Sequence, residues 1–520
     1  MKAVSKITEE SLPLLLIGGT DPSGAGLQVD WKVVNALAVE ASSIVTAVTA
    51  QNAGMVFDSG VLPSQQFKAQ LDAVKTEEFS AVKIGMLGNE KVIKQLIDYL
   101  LFLAKSTNDS YVILDPVLMA SSGGELLTDK GIALLLSTLL PLTTLITPNL
   151  DELALLTNLP INNQAEIEHA SKQLIALGAT SVLVKGGHSL DAESSTDLLI
   201  TESSTIHLIG KRWKDRKNVR GTGCALATTI AVMMSKGYCL EDAVVLAKAN
   251  LSHAIRHAVI NRGGQRKLHF KAEEYLHIDL QDFPKLITSK AQKVTPDFLS
   301  CGSKPLGVYP IVDSVEWIKK LVPLGIETIQ LRIKAETKKP KNQSIEEMEQ
   351  RTEQQIQEAI TFCNAYKVRL FINDHWRIAI KHKAYGIHLG QEDLAKLSHD
   401  DLQSIADAKC RLGVSTHSFF EVARAHQLKP SYIALGPIFA TTSKVMPWIP
   451  QGVATVKMWV HLLGDEYPLV AIGGINAERA KVLKATGVGS VAMITAITEA
   501  DDYEKATKDL LLLWEASKYI

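Results

Sequence analysis

The feature that most limits what this chain can fold into is a repeat of strand-like runs in its second half. Short β-branched and apolar segments occur at 305–313 (PLGVYPIVD), 328–334 (TIQLRIK), 368–374 (VRLFIND), 386–390 (GIHLG), 411–416 (RLGVST), 431–439 (SYIALGPIF), 469–475 (LVAIGGI) and 490–497 (SVAMITAI). Helix-like stretches separate most of them. The segment 345–363, for example, sets Ile345, Met348, Ile356 and Ile360 on one helical stripe. Eight βα units in about 215 residues predict a closed (β/α)8 TIM barrel.

The first half also alternates strand and helix patterns, with longer and less regular spacing. It predicts an open, doubly wound α/β sheet that binds ligands at the carboxyl ends of its strands. Residues 281–304 (QDFPKLITSKAQKVTPDFLSCGSK) lack sustained periodicity and carry Pro284, Pro296 and Gly302. The expected organisation is therefore a first domain at 1–284, a linker at 285–304 and the barrel at 305–520. A chain of 520 residues has room for both, since single cores stop growing near about 250–300 residues.

Charge narrows the partners. With 55 Lys and Arg against 56 Asp and Glu, the formal net charge is −1. No basic field is available for nucleic acid or an anionic membrane, although a few donors can still make a local phosphate site. A homo-oligomer is left open. The five cysteines (Cys224, Cys239, Cys301, Cys363, Cys410) form no CxxC pair or Cys/His cluster, which points to a reducing, cytoplasmic setting. The N-terminal residues make a poor signal peptide. The apolar stretch 131–146 contains Pro141 and is too short to cross a bilayer.

In a TIM barrel, chemistry collects where strands end. Here Gln330, Arg332 and Lys334 alternate with Leu331 and Ile333, so three polar groups share one face and suit a polyphosphate. Asn373-Asp374 and Gly390-Gln391-Glu392-Asp393 put two carboxylates at adjacent strand ends, where they could share Mg²⁺. Read alone, each Asp is better explained as a helix cap; two of them beside a cationic strand favour the metal. Thr441, Thr442, Ser443 and Lys444 offer hydroxyls and an ammonium to phosphate oxygens. Gly473-Gly474 and Ile494-Thr495 end the seventh and eighth runs, the usual phosphate site of such barrels.

The ordered set QLRIK, FINDHWRIA, GIHLGQEDL, GVSTHS, LGPIFATTSK, AIGGIN and AMITAI resembles thiamine-phosphate synthase over about 305–520. The resemblance implies that Gln330, Leu331, Arg332, Ile333, Lys334 and Asn373 hold hydroxymethylpyrimidine diphosphate. It assigns Mg²⁺ to Asp374 and Asp393, and the pyrimidine to Ser415 and Lys444. Thr441, Thr442, Ser443, Gly473, Gly474, Ile494 and Thr495 would hold the thiazole phosphate. Ser443 stands where Thr is common and Thr495 where Ser is common; both keep a hydroxyl. Catalysis would need no protein nucleophile, with Arg332 and Lys444 neutralising the departing diphosphate.

In the first half, GxxxxGK[ST] is absent, and a strand instead runs into GGTDPSGAGLQVD. Gln51-Asn52 offers amides to a flat heterocycle, and KIGML carries Met86, able to pack on a ring. Acids follow apolar runs at Asp115 and at Asn149 to Glu152. Gly221 to Cys224 precede the small-residue stretch 225–234, which reads as a buried helix with an anion-binding N-terminus. GTDPSGAGLQVD, TAQN, KIGML, LDPV, TPNLDE, KGGH and GTGC together resemble the ribokinase-like hydroxymethylpyrimidine (phosphate) kinases over about 12–265.

That resemblance places Asp30, Gln51, Met86 and Val117 around the pyrimidine. It makes the anion hole from Gly221 to Cys224, including Gly223. Cys224 would face the reacting oxygen, with its pKa lowered by the helix end. Asp115, Asn149 and Glu152 fall to the Mg²⁺–ATP network, and Lys185 to the transferring phosphate. Two departures stand out: a glycine turn one residue shorter than the common form, and Arg220 where His usually precedes GTGC. The expectation is a bifunctional thiamine-biosynthesis enzyme using ATP and Mg²⁺. A pyridoxal-type vitamin kinase, or a non-catalytic pyrimidine-binding module, is the alternative for the first half.

Overall fold

The computed structural model describes residues 12–22, 24–51, 56–106, 110–119, 124–187, 193–213, 219–260, 266–270, 278–287, 296–333, 345–440 and 449–515. The chain divides into two compact units, one within residues 5–292 and one within 293–520.

The first unit is built on a ten-stranded sheet. Its strands are β1 (Leu14–Thr20), β2 (Ala41–Gln51), β3 (Val56–Val61), β4 (Ala81–Ile84), β5 (Tyr111–Leu114), β6 (Leu145–Ile146), β7 (Val182–Val184), β8 (Ser194–Ile200) and β9 (Thr205–Lys211), with β13 (Lys285–Ile287) at one edge. Between them in sequence, β10 (Val219–Arg220), β11 (Val259–Ile260) and β12 (Arg266–Lys267) form a separate small ribbon. The order β13-β9-β8-β7-β6-β5-β4-β1-β2-β3 is parallel from β2 through β7 and antiparallel beyond. The chain winds one way from β1 and then returns to the other side at β4. This creates a switch point beside β1, where an open α/β sheet holds its ligand.

Burial explains these strands. Leu14 to Ile17 are all 0% exposed, the continuous apolar run of a strand covered on both faces. β1 then continues through Gly18-Gly19, beyond the apolar run legible in the sequence. The expected buried helix is Thr222–Ser235, capped by Gly221 in the left-handed region, and it packs against β4 and β5.

The second unit is a closed barrel of eight parallel strands: β14 (Gly307–Val312), β15 (Thr328–Leu331), β16 (Arg369–Asn373), β17 (Gly386–Leu389), β18 (Arg411–Thr416), β19 (Tyr432–Leu435), β20 (Leu469–Ile472) and β21 (Ser490–Met493). Each of the eight expected runs contains one of them. All but the fifth run extend past their strands; in the last three, Gly436-Pro437 and Gly473-Gly474 leave the ladder and Thr495–Thr498 coils into a helical turn. The barrel interior holds Tyr309, Phe371 and Tyr432, with ring centroids 5.0–6.0 Å apart. Glycines make room for the rings. A Cβ at Gly413 would stand 2.1 Å from the Tyr432 ring, and one at Gly386 would stand 2.5 Å from the Phe371 ring.

The described parts of the expected linker, 285–287 and 296–304, are packed chain. Lys285–Ile287 pairs antiparallel with β9, and Leu286 is buried. Phe298, Cys301 and Leu306 are also buried. Arg411 Nε donates to the Ser300 carbonyl at 2.9 Å, and Arg369 Nη2 donates to the Pro305 carbonyl at 2.9 Å. Both arginines start their strands, so this segment covers the N-terminal end of the barrel. A three-residue strand and an irregular plug carry no periodicity, which is why they read as linker.

Candidate functional site

In the first unit, the anion-binding features meet at the start of the helix Thr222–Ser235. A Cβ placed on Gly223 would lie 3.2 Å from Lys185 Nζ and 3.6 Å from Asp115 Oδ2. Lys185 Nζ donates to Asp115 Oδ1 at 2.6 Å and stands 3.6 Å from Glu152 Oε2. Burial disfavours charge on Lys185, but Asp115 and Glu152 overcome it and raise its pKa, so the ammonium persists. Burial also opposes charge on Asp115, yet Lys185, Lys83 and the Thr147 hydroxyl hold its carboxyl below the ordinary range. Glu152 moves the other way. Burial, with Asp115 nearby, pushes it up to about 6 against the pull of Lys185. Asn149 and Glu152 also form a reciprocal capping box, so Glu152 orients its own helix while facing Lys185.

Cys224 lies in this cluster, but its electrostatics reverse the expectation. Burial pushes the thiol up to about 11, past the opposing pull of Lys83 and a hydrogen bond from the Gly26 amide. The helix end is outweighed, and Cys224 is a neutral thiol at physiological pH. It can donate a weak hydrogen bond but does not serve as a thiolate.

The residues expected around the pyrimidine lie near the switch point, with one exception. Met86 Sδ would stand 3.1 Å from a Cβ on Gly19, and Thr46 Oγ1 donates to the Met86 carbonyl at 2.6 Å. Gln51 Nε2 donates to Asp21 Oδ2 at 2.6 Å. Val117 is half-buried after β5, its amide bonded to the Asp115 carbonyl. Asp30 departs from the expected open position. It is 0% exposed, with Oδ2 paired to Lys83 Nζ at 2.8 Å and Oδ1 accepting from Thr228 Oγ1 at 2.7 Å. Asn52 lies outside the described residues.

In the barrel, Asp374, Asp393 and Arg332 converge at the carboxyl ends of β15, β16 and β17. Partial burial, then Asp393 beside it, raises Asp374 to about 6, while Arg332 and Asn373 pull it down. Asn373 Nδ2 donates to Asp374 Oδ2 at 2.5 Å. Asp374 has φ +62°, a left-handed turn that re-aims the chain just after β16. Lys396 Nζ reaches Asp393 Oδ1 at 2.8 Å. Leu331 is buried and Ile333 half-buried beside Arg332.

Gly473 (φ +100°) and Gly474 (φ +62°) turn tightly against Pro437 and Ala440, near where Ile494 and the exposed Thr495 end β21. Lys334, Thr441, Thr442, Ser443 and Lys444 lie outside the described residues.

A buried polar chain runs below this rim. Gln330 Nε2 donates to Tyr309 Oη (3.3 Å), which bonds Tyr432 Oη (3.0 Å). Tyr432 Oη bonds His388 Nδ1 (2.6 Å), and His388 Nε2 bonds Ser415 Oγ (2.8 Å). Burial, then Arg332 and His417, push the His388 pKa down to about 3, so the imidazole is neutral.

The comparisons follow this division. A phosphomethylpyrimidine kinase family model matches residues 21–269, and a thiamine monophosphate synthase model matches residues 308–497. A solved phosphomethylpyrimidine kinase from Clostridium difficile 630 is 34% identical, covering 47% of this chain and 99% of its own, with a TM-score of 0.41. The thiamine-phosphate synthase of Photorhabdus laumondii is 52% identical over 210 residues, which is 40% of this chain and 90% of that protein. That of Salmonella typhimurium is 50% identical over 218 residues, 42% of this chain and 96% of that protein. The chain belongs to the thiamine-phosphate synthase family. Its first unit is a phosphomethylpyrimidine kinase domain.

The thiamine-phosphate synthase barrel offers hard oxygen donors in Asp374 and Asp393. Their mutual repulsion is what a bound divalent cation would relieve, so the pair fits Mg²⁺. A pH dependence follows. An Asp374 that held metal would have to be ionised, and with a pKa of about 6 its charged fraction falls roughly tenfold between pH 7 and pH 5. The Mg²⁺ concentration for half-maximal condensation is expected to rise by roughly that factor over the interval. Rates across a Mg²⁺ series at both pH values check it; equal midpoints would remove Asp374 from the metal site. No described helix of either unit is long and apolar enough to cross a membrane.

Several site residues escaped the sequence reading. Lys83 had a usable signal, a lysine inside the buried strand AVKI. His388 had another, since alternation in GIHL turns it opposite to Ile387 and Leu389. Tyr309 and Tyr432 read only as strand residues.

Proposed function

We propose that the first unit transfers the γ-phosphoryl group of ATP to hydroxymethylpyrimidine phosphate, and that the barrel joins the resulting diphosphate to thiazole phosphate. Thiamine phosphate and diphosphate are the products. The observation that carries this reading is the convergence of Arg332, Asp374 and Asp393 at neighbouring strand ends of a closed barrel. Two acids and a guanidinium in one mouth suit a diphosphate leaving group.

In the kinase domain, Lys185 and the amides of Gly221 to Cys224 stabilise charge on the transferring phosphate. Asp115 holds Lys185 in place and, with Glu152, is available to the Mg²⁺–ATP network. Asn149 orients Glu152. Met86, Val117 and Gln51 border the heterocycle at the switch point. Cys224, as a neutral thiol, packs beside the accepting oxygen. Asp30 acts from beneath, through Lys83.

In the barrel, Asp374 and Asp393 would hold Mg²⁺, which supplies electrostatic neutralisation of the diphosphate. Arg332 shares that charge, and Gln330, Asn373 and Ser415 orient the pyrimidine diphosphate. The electron-rich aminopyrimidine stabilises the cation left at its CH₂ group, and the thiazole nitrogen closes the new bond. Gly473, Gly474, Ile494 and Thr495 border the thiazole phosphate, and Lys444 with Thr441 to Ser443 complete the assignment. No side chain need act as nucleophile.

The test is purified full-length protein with ATP, Mg²⁺, hydroxymethylpyrimidine phosphate and thiazole phosphate, followed for thiamine phosphate. Omitting ATP should abolish product, and supplying the pyrimidine diphosphate should restore it. Product formed without ATP from the monophosphate would overturn the two-step order.

A further inference from the structure

The ribbon β10-β12-β11 lies outside the roles assigned above, and it carries a concentration of positive charge. Arg220 on β10 pairs in parallel register with Lys267 on β12, so the two side chains project to the same face. Lys267 Nζ would stand 3.4 Å from a Cβ on Gly24, in the glycine turn after β1. A Cβ on Gly221, in turn, would stand 3.3 Å from the Gly24 carbonyl oxygen. Ribbon, glycine turn and helix start therefore meet at one place.

Among the described residues the charges there do not balance. Arg220 Nη2 stands 3.6 Å from Asp21 Oδ2, which also accepts from Gln51. Lys32, on the helix Leu27–Ala36, has its pKa lowered by partial burial and by Lys267. No carboxylate among the described residues forms an ion pair with Lys267 or Lys32. Lysines that repel one another beside a turn and a helix N-terminus are suited to an anion. The opposite side of the same helix start, at Gly223, already faces Lys185. Two cationic groups thus flank one helix end, as a transfer between two phosphates requires, since the acceptor and the donor repel each other.

We propose that Lys267, with Arg220 beside it, holds the phosphate already carried by the acceptor, so that this unit selects a phosphomonoester over a free alcohol. The proposal rests on the kinase reading above and deepens it to a specificity determinant.

The experiment measures ADP formation by the full chain with ATP and Mg²⁺, offering hydroxymethylpyrimidine or its monophosphate, for wild type, Lys267→Gln and Lys267→Arg. The ratio of kcat/KM for monophosphate over alcohol is expected to fall about tenfold or more in Lys267→Gln, mostly through KM. Lys267→Arg should restore it to within about threefold. An unmoved ratio overturns the proposal, and so does an equal loss with both acceptors. If wild type turns over neither acceptor, the kinase reading itself fails. Binding of the two compounds without ATP then decides the anion site, read as the difference between wild type and Lys267→Gln, which cancels any binding by the barrel. A monophosphate affinity unchanged by the substitution would then refute it.

Discussion

Asp393→Ala is expected to lower thiamine phosphate formation by about 10²- to 10³-fold, while ATP consumption with hydroxymethylpyrimidine phosphate continues. The effect is one of charge. Asp374 and Asp393 repel each other, as the elevation of Asp374 to about 6 records, and one divalent cation satisfies both. Removing Asp393 leaves a single carboxylate ligand and one fewer charge to attract metal. The Asp374 pKa should also fall, though not to its ordinary value, because burial is the larger cause of its elevation. The activity that remains should therefore lose its pH dependence at a lower pH than in wild type. Condensation rates from supplied pyrimidine diphosphate across a Mg²⁺ series measure both effects. Unchanged turnover would remove the metal assignment.

The second large effect is on stability. Lys83→Met is expected to destabilise the kinase unit by about 3–5 kcal/mol, because it strands a carboxylate that is 0% exposed. Lys83 and Asp30 are 1% and 0% exposed, and their ion pair is 2.8 Å long. Without the ammonium, Asp30 keeps, among the described side chains, the Thr228 hydroxyl. Burial already pushes its pKa up, and that push would go unopposed by Lys83. A carboxyl raised in the folded state costs stability as pH climbs above its unfolded value near 4, so the variant should be relatively more stable in mild acid. Replacing both partners, Lys83→Met with Asp30→Leu, should recover most of the loss, since no charge is left buried. Chemical denaturation of the kinase unit at pH 5 and pH 7 separates these cases. Equal midpoints for wild type and Lys83→Met would show that the pair contributes nothing.

This pair also shows where sequence reasoning stops. The eight barrel strands were legible because each repeats a short apolar run, and the helix Thr222–Ser235 because small residues follow a glycine. Neighbouring strand ends then brought Arg332, Asp374 and Asp393 together, as their positions implied. Asp30 reads as a site residue because it follows the glycine turn. Whether its oxygens face a ligand or a lysine depends on a partner 53 residues away in β4. Cys224 failed for a related reason. The helix end that would lower its pKa is local, while the burial that raises it is set by elements far along the chain. The edge strand β13 and the plug at Cys301 were missed because their order comes from what they touch.

The hydrogen-bonded row through the barrel interior has a direction. At one end the Gln330 amide donates to Tyr309, whose own proton can then turn onward to Tyr432. Tyr432 then donates to His388 Nδ1, and the neutral ring carries its proton on Nε2, aimed at Ser415. Ser415 therefore receives from below and has its own proton to offer upward. In that order of donors the serine at the rim greets a ligand as a giver, matched to a lone pair such as that of a ring nitrogen.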